Sequence, residues 1–325
     1  MKKILLNLLR ISISFGLIAY LLYIADVAKL MEILKSLNIW GFILAIMVCL
    51  LSLLIMAVRW RVLNHSHGIQ TGTSQLYVFY LIGLFFNNFL PTSIGGDLAR
   101  VYYLSKSSQN RSASIGTVFL ERIIGLLATL TLAFISLYWL IQYFQSNRII
   151  YVTMVIIGII AIFLASIMSR RLYKRFNGLI SLITFYDIGD KIIKVLDTLH
   201  FYRDKKIVLL KTYLFSILSQ FLLILMNYVL ARALGLSSVT LGYLILVVPI
   251  TFVIGLLPSI NGIGVRDTGY LILLSRQGLE TSQILSLSLS VTFIPILISL
   301  AGGIFLILYR QKGIEGPHLT EEKVA

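Results

Sequence analysis

A single cysteine, Cys49, stands in 325 residues, and it lies inside an apolar run. An intrachain disulfide and a thiolate metal site are both excluded. Histidine is nearly as rare, with four in the chain. His65 and His67 form an i, i+2 pair in an Asn-His-Ser-His-Gly turn with no carboxylate or thiol close by, which reads as interfacial polar residues rather than zinc ligands. No Gly-x-x-x-x-Gly-Lys-Ser/Thr pattern occurs, so ATP hydrolysis by this chain is not expected. No metal and no cofactor is implied. Acidic residues are scarce, 13 against 28 Lys and Arg, and only five prolines occur, so the place of each proline carries information.

What is abundant is apolar. The chain is 58% hydrophobic, 13% charged and has a mean hydropathy of +0.93, with several runs long enough to cross a bilayer. The composition predicts an all-α integral membrane protein. A formal charge of +15 would suggest nucleic acid in a soluble protein. Here the excess sits beside apolar segments, so cytoplasmic placement of basic loops and contact with anionic lipid explain it, and no nucleic-acid partner is expected.

The stretch 87–100, Asn-Asn-Phe-Leu-Pro-Thr-Ser-Ile-Gly-Gly-Asp-Leu-Ala-Arg, puts a helix breaker, a glycine pair and two opposite charges after an apolar run. That run, Leu76 to Leu90, would be about 22 Å of helix, short of the ~30 Å hydrocarbon core. Pro91 removes a backbone donor and Gly95-Gly96 loosen the chain, so the helix breaks. Broken backbone at membrane depth survives only where protein or water supplies its hydrogen bonds, which predicts a cavity. A second stretch repeats the pattern at Leu257-Pro258-Ser259-Ile260-Asn261-Gly262-Ile263-Gly264-Val265-Arg266-Asp267. Paired Gly/Pro interruptions in two halves of a membrane protein point to a transporter's binding site.

In chain order, the spans are expected at Ile4–Ala25, Ile39–Val58, Ile115–Trp139, Ile149–Met168, Thr212–Leu230 and Ile284–Tyr309, with the broken segments after the second and fifth. Arg59-Trp60-Arg61, closing the second span, suits a lipid interface. Between Arg170 and Lys211, ten Lys or Arg face four Asp, a net +6 that belongs in the cytoplasm. Apolar residues at roughly helical spacing over 179–199 fit an amphipathic helix on the inner leaflet, with a solvated linker as the alternative.

Loop charge constrains the crossings. With the N-terminus inside and every run crossing, the +6 connection would land outside. Six spans with two re-entrant hairpins, 76–104 from the inside and 239–276 from the outside, return it to the cytoplasm. Eight full spans with the N-terminus outside do the same but disregard Lys2 and Lys3. The expected organisation is one polytopic membrane domain over 1–312, with repeat elements at about 76–139 and 239–309, a basic connection at 169–211 and a short cytoplasmic tail at 313–325.

Arg100 and Arg266 are the first candidates for gripping a lipid phosphate, because a guanidinium pairs with phosphate oxygens bidentately and keeps its charge in apolar surroundings. Gly95, Gly96, Gly262 and Gly264 would let backbone N–H groups approach an anion, above all where a half-helix begins. Close packing of helices is the competing role for these glycines. Asp97 and Asp267 are placed to pair with the arginines or accept a proton. Glu121 and Arg122 are neighbours that cannot face each other on a helix, so Glu121 is expected to reach a cation elsewhere, Arg100 among the candidates. Asn87 and Asn88 would line the same cavity, and Tyr77, Phe79, Tyr80, Phe85 and Phe86 are read as lipid-facing or packing residues.

At these motifs the chain resembles the transmembrane region of lysylphosphatidylglycerol synthases and the stand-alone flippase-like membrane proteins. Asn88, Pro91, Gly95-Gly96-Asp97, Arg100, Glu121-Arg122, Pro258, Gly262-Ile263-Gly264-Val265-Arg266 and Gly278 carry the likeness. Asn261 stands where the family often has a second glycine, and Asp267 where Glu is common. The resemblance implies movement of an anionic or aminoacylated phospholipid, or a lipid-linked phosphate, between leaflets of a bacterial or archaeal cell membrane. Full-length relatives add a cytosolic domain that transfers lysine from tRNA to phosphatidylglycerol, and 16 residues after Tyr309 leave no room for it here. A part in lipid modification, or a scaffold for a lipid-biosynthetic partner protein, remains the alternative.

Overall fold

The computed structural model describes residues 15–89, 95–144, 201–255 and 262–311. Pro91, Pro258, the run Ile149–Met168 and the 179–199 segment lie outside the described residues. What is described is an all-α membrane protein. Its helices are α1 (Phe15–Ile24), α2 (Val27–Lys35), α3 (Ile39–Ser66), α4 (Thr73–Phe89), α5 (Gly95–Ser108) and α6 (Arg111–Phe144), then α7 (Lys206–Ala233), α8 (Leu241–Ile254), α9 (Val265–Leu274) and α10 (Thr281–Gln311).

Two length classes divide these helices. α3, α6, α7 and α10 run 28, 34, 28 and 31 residues and are apolar enough to cross a membrane. At 1.5 Å per residue each exceeds the ~30 Å hydrocarbon core. By contrast α4, α5, α8 and α9 have 17, 14, 14 and 10 residues, so each alone reaches only about 15–25 Å.

The frame of the bundle is α3 against α7. Small residues let the two backbones close up: Gly41 abuts Ala233, and the Ser52 hydroxyl donates to the Ser219 carbonyl (3.0 Å). The pair is antiparallel, because Asn38 N–H at the start of α3 donates to Ala233 O (2.9 Å) at the end of α7. At the opposite end, the Tyr202 hydroxyl donates to Leu63 O (2.8 Å) and Lys205 Nζ to Ser66 O. That second end gathers Arg61, Lys106, Arg111, Lys205 and Lys206 and is called the basic end below.

The short helices form two hairpins that open at opposite ends. α4 starts at the basic end, where Arg61 Nη1 donates to Thr73 Oγ1 (3.1 Å), and α5 returns there, since Gln75 Nε2 donates to Ser107 Oγ (3.2 Å). Inside the bundle Gly96 N–H donates to Asn87 Oδ1 (2.8 Å), and Gly83 and Gly96 cross so closely that a Cβ on Gly96 would strike Gly83 O. α8 and α9 mirror this from the far end, where the Tyr243 hydroxyl donates to Leu273 O (2.7 Å). At their inner ends Gly262 lies against Gly255.

α10 joins the two systems at its middle. Asn88 Nδ2 at the tip of α4 donates to Pro295 O (3.3 Å), and one turn away Thr292 Oγ1 accepts from Arg266 Nη2 of α9.

One sequence expectation is corrected. α3 does not stop at Val58 but continues to Ser66, so Arg59 and Trp60 are buried inside the bundle, while Arg61 alone of the trio is exposed. Nothing after Val58 breaks a helix, and the buried arginine has a carboxylate waiting for it.

Candidate functional site

That carboxylate is Glu121 on α6, 1% exposed. It accepts from Arg59 Nε (3.2 Å) and Nη2, and its second oxygen accepts from Arg100 Nη2 of α5. Arg59 Nη1 donates to Ser216 Oγ of α7 (2.9 Å). Arg100 Nη1 reaches Asp97 Oδ1 at 3.4 Å, and Asp97 Oδ2 pairs with Arg122 Nε. Three helices thus contribute to one chain of ion pairs, in which three guanidiniums face two carboxylates, and α7 adds a hydroxyl.

The Arg100 guanidinium also lies in the corner formed by two edge-to-face rings, 4.3 Å from the Trp60 ring centroid and 3.8 Å from that of Tyr80. Cation–π attraction in a dry site adds to the ion pairs. Seven residues separate Arg59 from the end of α3 and eight separate Arg100 from the end of α5, which puts both about 10–12 Å below the basic end. Charge at such depth requires partners. Arg122 differs from the other two: its side chain keeps 47% exposure, and Leu98, next in sequence to its partner Asp97, is 61% exposed, so this ion pair opens onto the outside of the bundle.

The second break is built differently. Gly262 and Gly264 have φ of 80° and 82°, a left-handed conformation that side chains disfavour, and they start α9. Asp267, fully buried, accepts from Gly264 N–H (2.9 Å) and so ties down the first turn. Its Oδ1 has no partner among the described residues. Arg266 points the other way, to Thr292, and among the described residues it forms no ion pair. Among the described residues a hydroxyl is the one hydrogen-bond partner of this partly buried arginine, which stands at a helix N-terminus beside the Asp267 carboxylate.

The structure therefore brings Asp97, Arg100, Glu121 and Arg122 into one cluster with Gly95 and Gly96 at its helix start. It places Gly262, Gly264, Arg266 and Asp267 at a second start, with Asn88 at the tip of α4 bonded to the middle of α10. Arg59 and Trp60, expected at a lipid interface, and Tyr80, expected to face lipid or pack, belong to the site, as do Ser216 and Thr292, which the sequence did not single out. The signal for Arg59 and Trp60 was the unbroken helix-forming run from Val58 to Ser66; for Tyr80, Ser216 and Thr292 there was no local signal. Among the described residues no three His, Cys, Asp or Glu side chains gather as metal ligands.

At the basic end His67 packs edge-on to Phe201 (4.4 Å) and stacked on Tyr202 (5.9 Å). Burial and the Lys205 charge lower its pKa, and burial pushes the Tyr202 hydroxyl up to about 12.

Among known proteins, the chain is similar to a UPF0104 membrane protein of Pyrococcus horikoshii, 30% identical over 171 residues, which is 52% of this chain and 48% of that one. A UPF0104 membrane protein of Methanocaldococcus jannaschii is 29% identical over 163 residues, 50% of this chain and 47% of the relative. The chain spans about half the length of the curated relatives it matches. No solved structure matches. The sequence profile of the lysylphosphatidylglycerol synthase transmembrane region matches residues 7–303, which include both hairpins and all four long helices almost to the end of α10. With that coverage, the chain belongs to the lysylphosphatidylglycerol synthase transmembrane-region family.

Proposed function

We propose that this protein carries an anionic lipid head group, a phospholipid or a lipid-linked phosphate, between the leaflets of the cell membrane. The observation that carries the reading is the pair of half-length hairpins opening at opposite ends of the bundle, each with an arginine on its returning helix. In the bilayer these hairpins are re-entrant. The basic end faces the cytoplasm, as the placement of Lys and Arg requires. A head group enters from the inner leaflet at Asp97–Arg122, where the ion pair is open to lipid, and its phosphate competes with Asp97 for the guanidiniums. Arg266 with the N-terminus of α9 offers the matching anion site to the outer leaflet. Rocking one hairpin against the other around the middle of α10 exposes the two sites in turn.

Reconstitution of the full chain into liposomes with fluorescent phosphatidylglycerol, a lipid-linked phosphate and phosphatidylcholine tests this. Faster crossing of the anionic lipids than in protein-free vesicles is expected; equal rates would defeat the reading.

The family description supports a second reading, in which the chain is the membrane part of a lipid-modifying enzyme or a scaffold for a biosynthetic partner protein. It predicts no lipid crossing by the chain alone.

A further inference from the structure

Buried side-chain polar atoms without a hydrogen-bond partner are few in a folded protein, so a concentration of them marks something that completes the site. Among the described residues ten such atoms occur, and eight belong to α3, α4, α5 and the connection between α3 and α4. They are Trp60 Nε1, both amide atoms of Asn64, Thr71 Oγ1, Tyr80 OH, Arg100 Nε and Tyr103 OH, with His67 Nδ1 on a ring that packs against Phe201 and Tyr202. Trp60, Tyr80 and Tyr103 share one packed cluster, and Arg100 touches the first two rings.

Their order along the helices is directional. Thr71 and His67 belong to the connection between α3 and α4 at the basic end, Asn64 is about one turn deeper and Trp60 one turn deeper again. On α5, Tyr103 lies a turn nearer the basic end than Arg100. Arg100 in turn holds Glu121. From His67 to Trp60 is about 10 Å along α3, the span of three or four waters at about 2.8 Å spacing. Trp60, Asn64 and Leu63 are fully buried and Leu76 and Leu104 close the apolar side, so a lipid head group has no route in. Water suits these atoms, because each molecule asks for two to four polar partners, and here two groups only donate (Trp60 Nε1, Arg100 Nε) while the Asn64 amide and the Thr71, Tyr80 and Tyr103 hydroxyls also accept.

We propose that this junction holds a file of bound water leading from the basic end to Arg100 and Glu121, and that it passes protons to Glu121. The groups facing that carboxylate are Arg59 from α3 and Arg100 from α5; Asp97 and Arg122 continue the ion pairs beyond Arg100, and the Ser216 hydroxyl of α7 holds Arg59. A proton taken from the file converts the carboxylate to a carboxyl and leaves both guanidiniums short of one negative charge. Binding of a proton and binding of an anion at this cluster are then mutually favourable, by linkage. This coupling rests on the head-group reading above; the water file does not.

Two measurements on the full chain in detergent decide it, and neither needs transport. Radiolytic hydroxyl labelling read by mass spectrometry is expected to modify Trp60 and Tyr103 while sparing Tyr270, which is equally buried but donates its hydroxyl to Asn227. Labelling of Trp60 and Tyr103 no faster than Tyr270 would overturn the file. Time-resolved infrared spectra after a pH jump are expected to show a carboxyl band that is lost in Glu121→Gln and forms more slowly in Asn64→Leu, which blocks the file without touching the ion pairs. A band that forms at the wild-type rate in Asn64→Leu would overturn the proton path. Should Glu121→Gln fail to fold, isotope editing of glutamate in the wild-type chain identifies the band. Absence of lipid crossing with both results positive would sink the transport reading alone.

Discussion

Glutamine in place of Glu121 keeps the shape of the side chain and removes the charge that holds two helices' arginines. Three guanidinium bonds end on this carboxylate. Hydrogen bonds to charged groups contribute about 1.5–3 kcal/mol each. The amide keeps one acceptor oxygen, so part of that survives, while Arg59 and Arg100 become buried charges without compensation. Breaking a buried pair in this way costs about 3–5 kcal/mol. Replacing Arg59 and Glu121 together by methionine removes a charge of each sign. It should cost less than the sum of the two single changes by about 2 kcal/mol or more, the coupling expected of residues in one network. Unfolding by SDS in mixed micelles, followed by tryptophan fluorescence, gives the four corners of the cycle. A Glu121→Gln cost within about 0.5 kcal/mol, the range of ordinary surface changes, would refute the cluster as the lock between α3, α5 and α6.

The hairpins can be tested by side of access. Single cysteines at Gln75 and Ser107, on a Cys49→Ala background, should both react with an impermeant maleimide from the cytoplasmic side, and those at Ser237 and Gln277 from the outside; reaction of one hairpin's two ends from opposite sides would make it a full crossing. Gly96→Ala should destabilise the α4–α5 crossing by about 1–3 kcal/mol, because the added methyl meets Gly83 O and the Asn87 amide. Unchanged thermal unfolding would contradict that contact. For His67, a folded-state pKa below the ordinary value means stability that is present above about pH 6.5 and lost as pH falls through the folded pKa. Between about pH 5 and 7 the melting temperature should therefore rise more steeply for the wild type than for His67→Gln.

Much of the architecture was legible in the residues because membranes impose few solutions. Leu76–Leu90 was too short to cross, Gly95-Gly96 loosened what followed, and loop charge favoured two segments returning to the side they left over eight full spans; among the described residues α4–α5 and α8–α9 are short helices that pair at their outer ends. Adjacent Glu121 and Arg122 had to point apart, and Glu121 indeed meets Arg100 while Arg122 meets Asp97. Arg59 and Trp60 were misread because an arginine beside an indole has the same local signature at a lipid interface as in a buried cage. The difference lies in a carboxylate 62 residues away. Tyr80 was hidden for the same reason, since an aromatic in an apolar run packs by default and only the fold brings a guanidinium over its face.

The reading of these hairpins as carriers of a head group is tested most directly by the crossing rate of labelled anionic lipid in liposomes containing Arg266→Gln, beside the wild type and Arg266→Lys. Loss of crossing in Arg266→Gln, partial retention in Arg266→Lys and equal thermal stability of all three proteins is the predicted result. Crossing at the wild-type rate in a folded Arg266→Gln protein would contradict it.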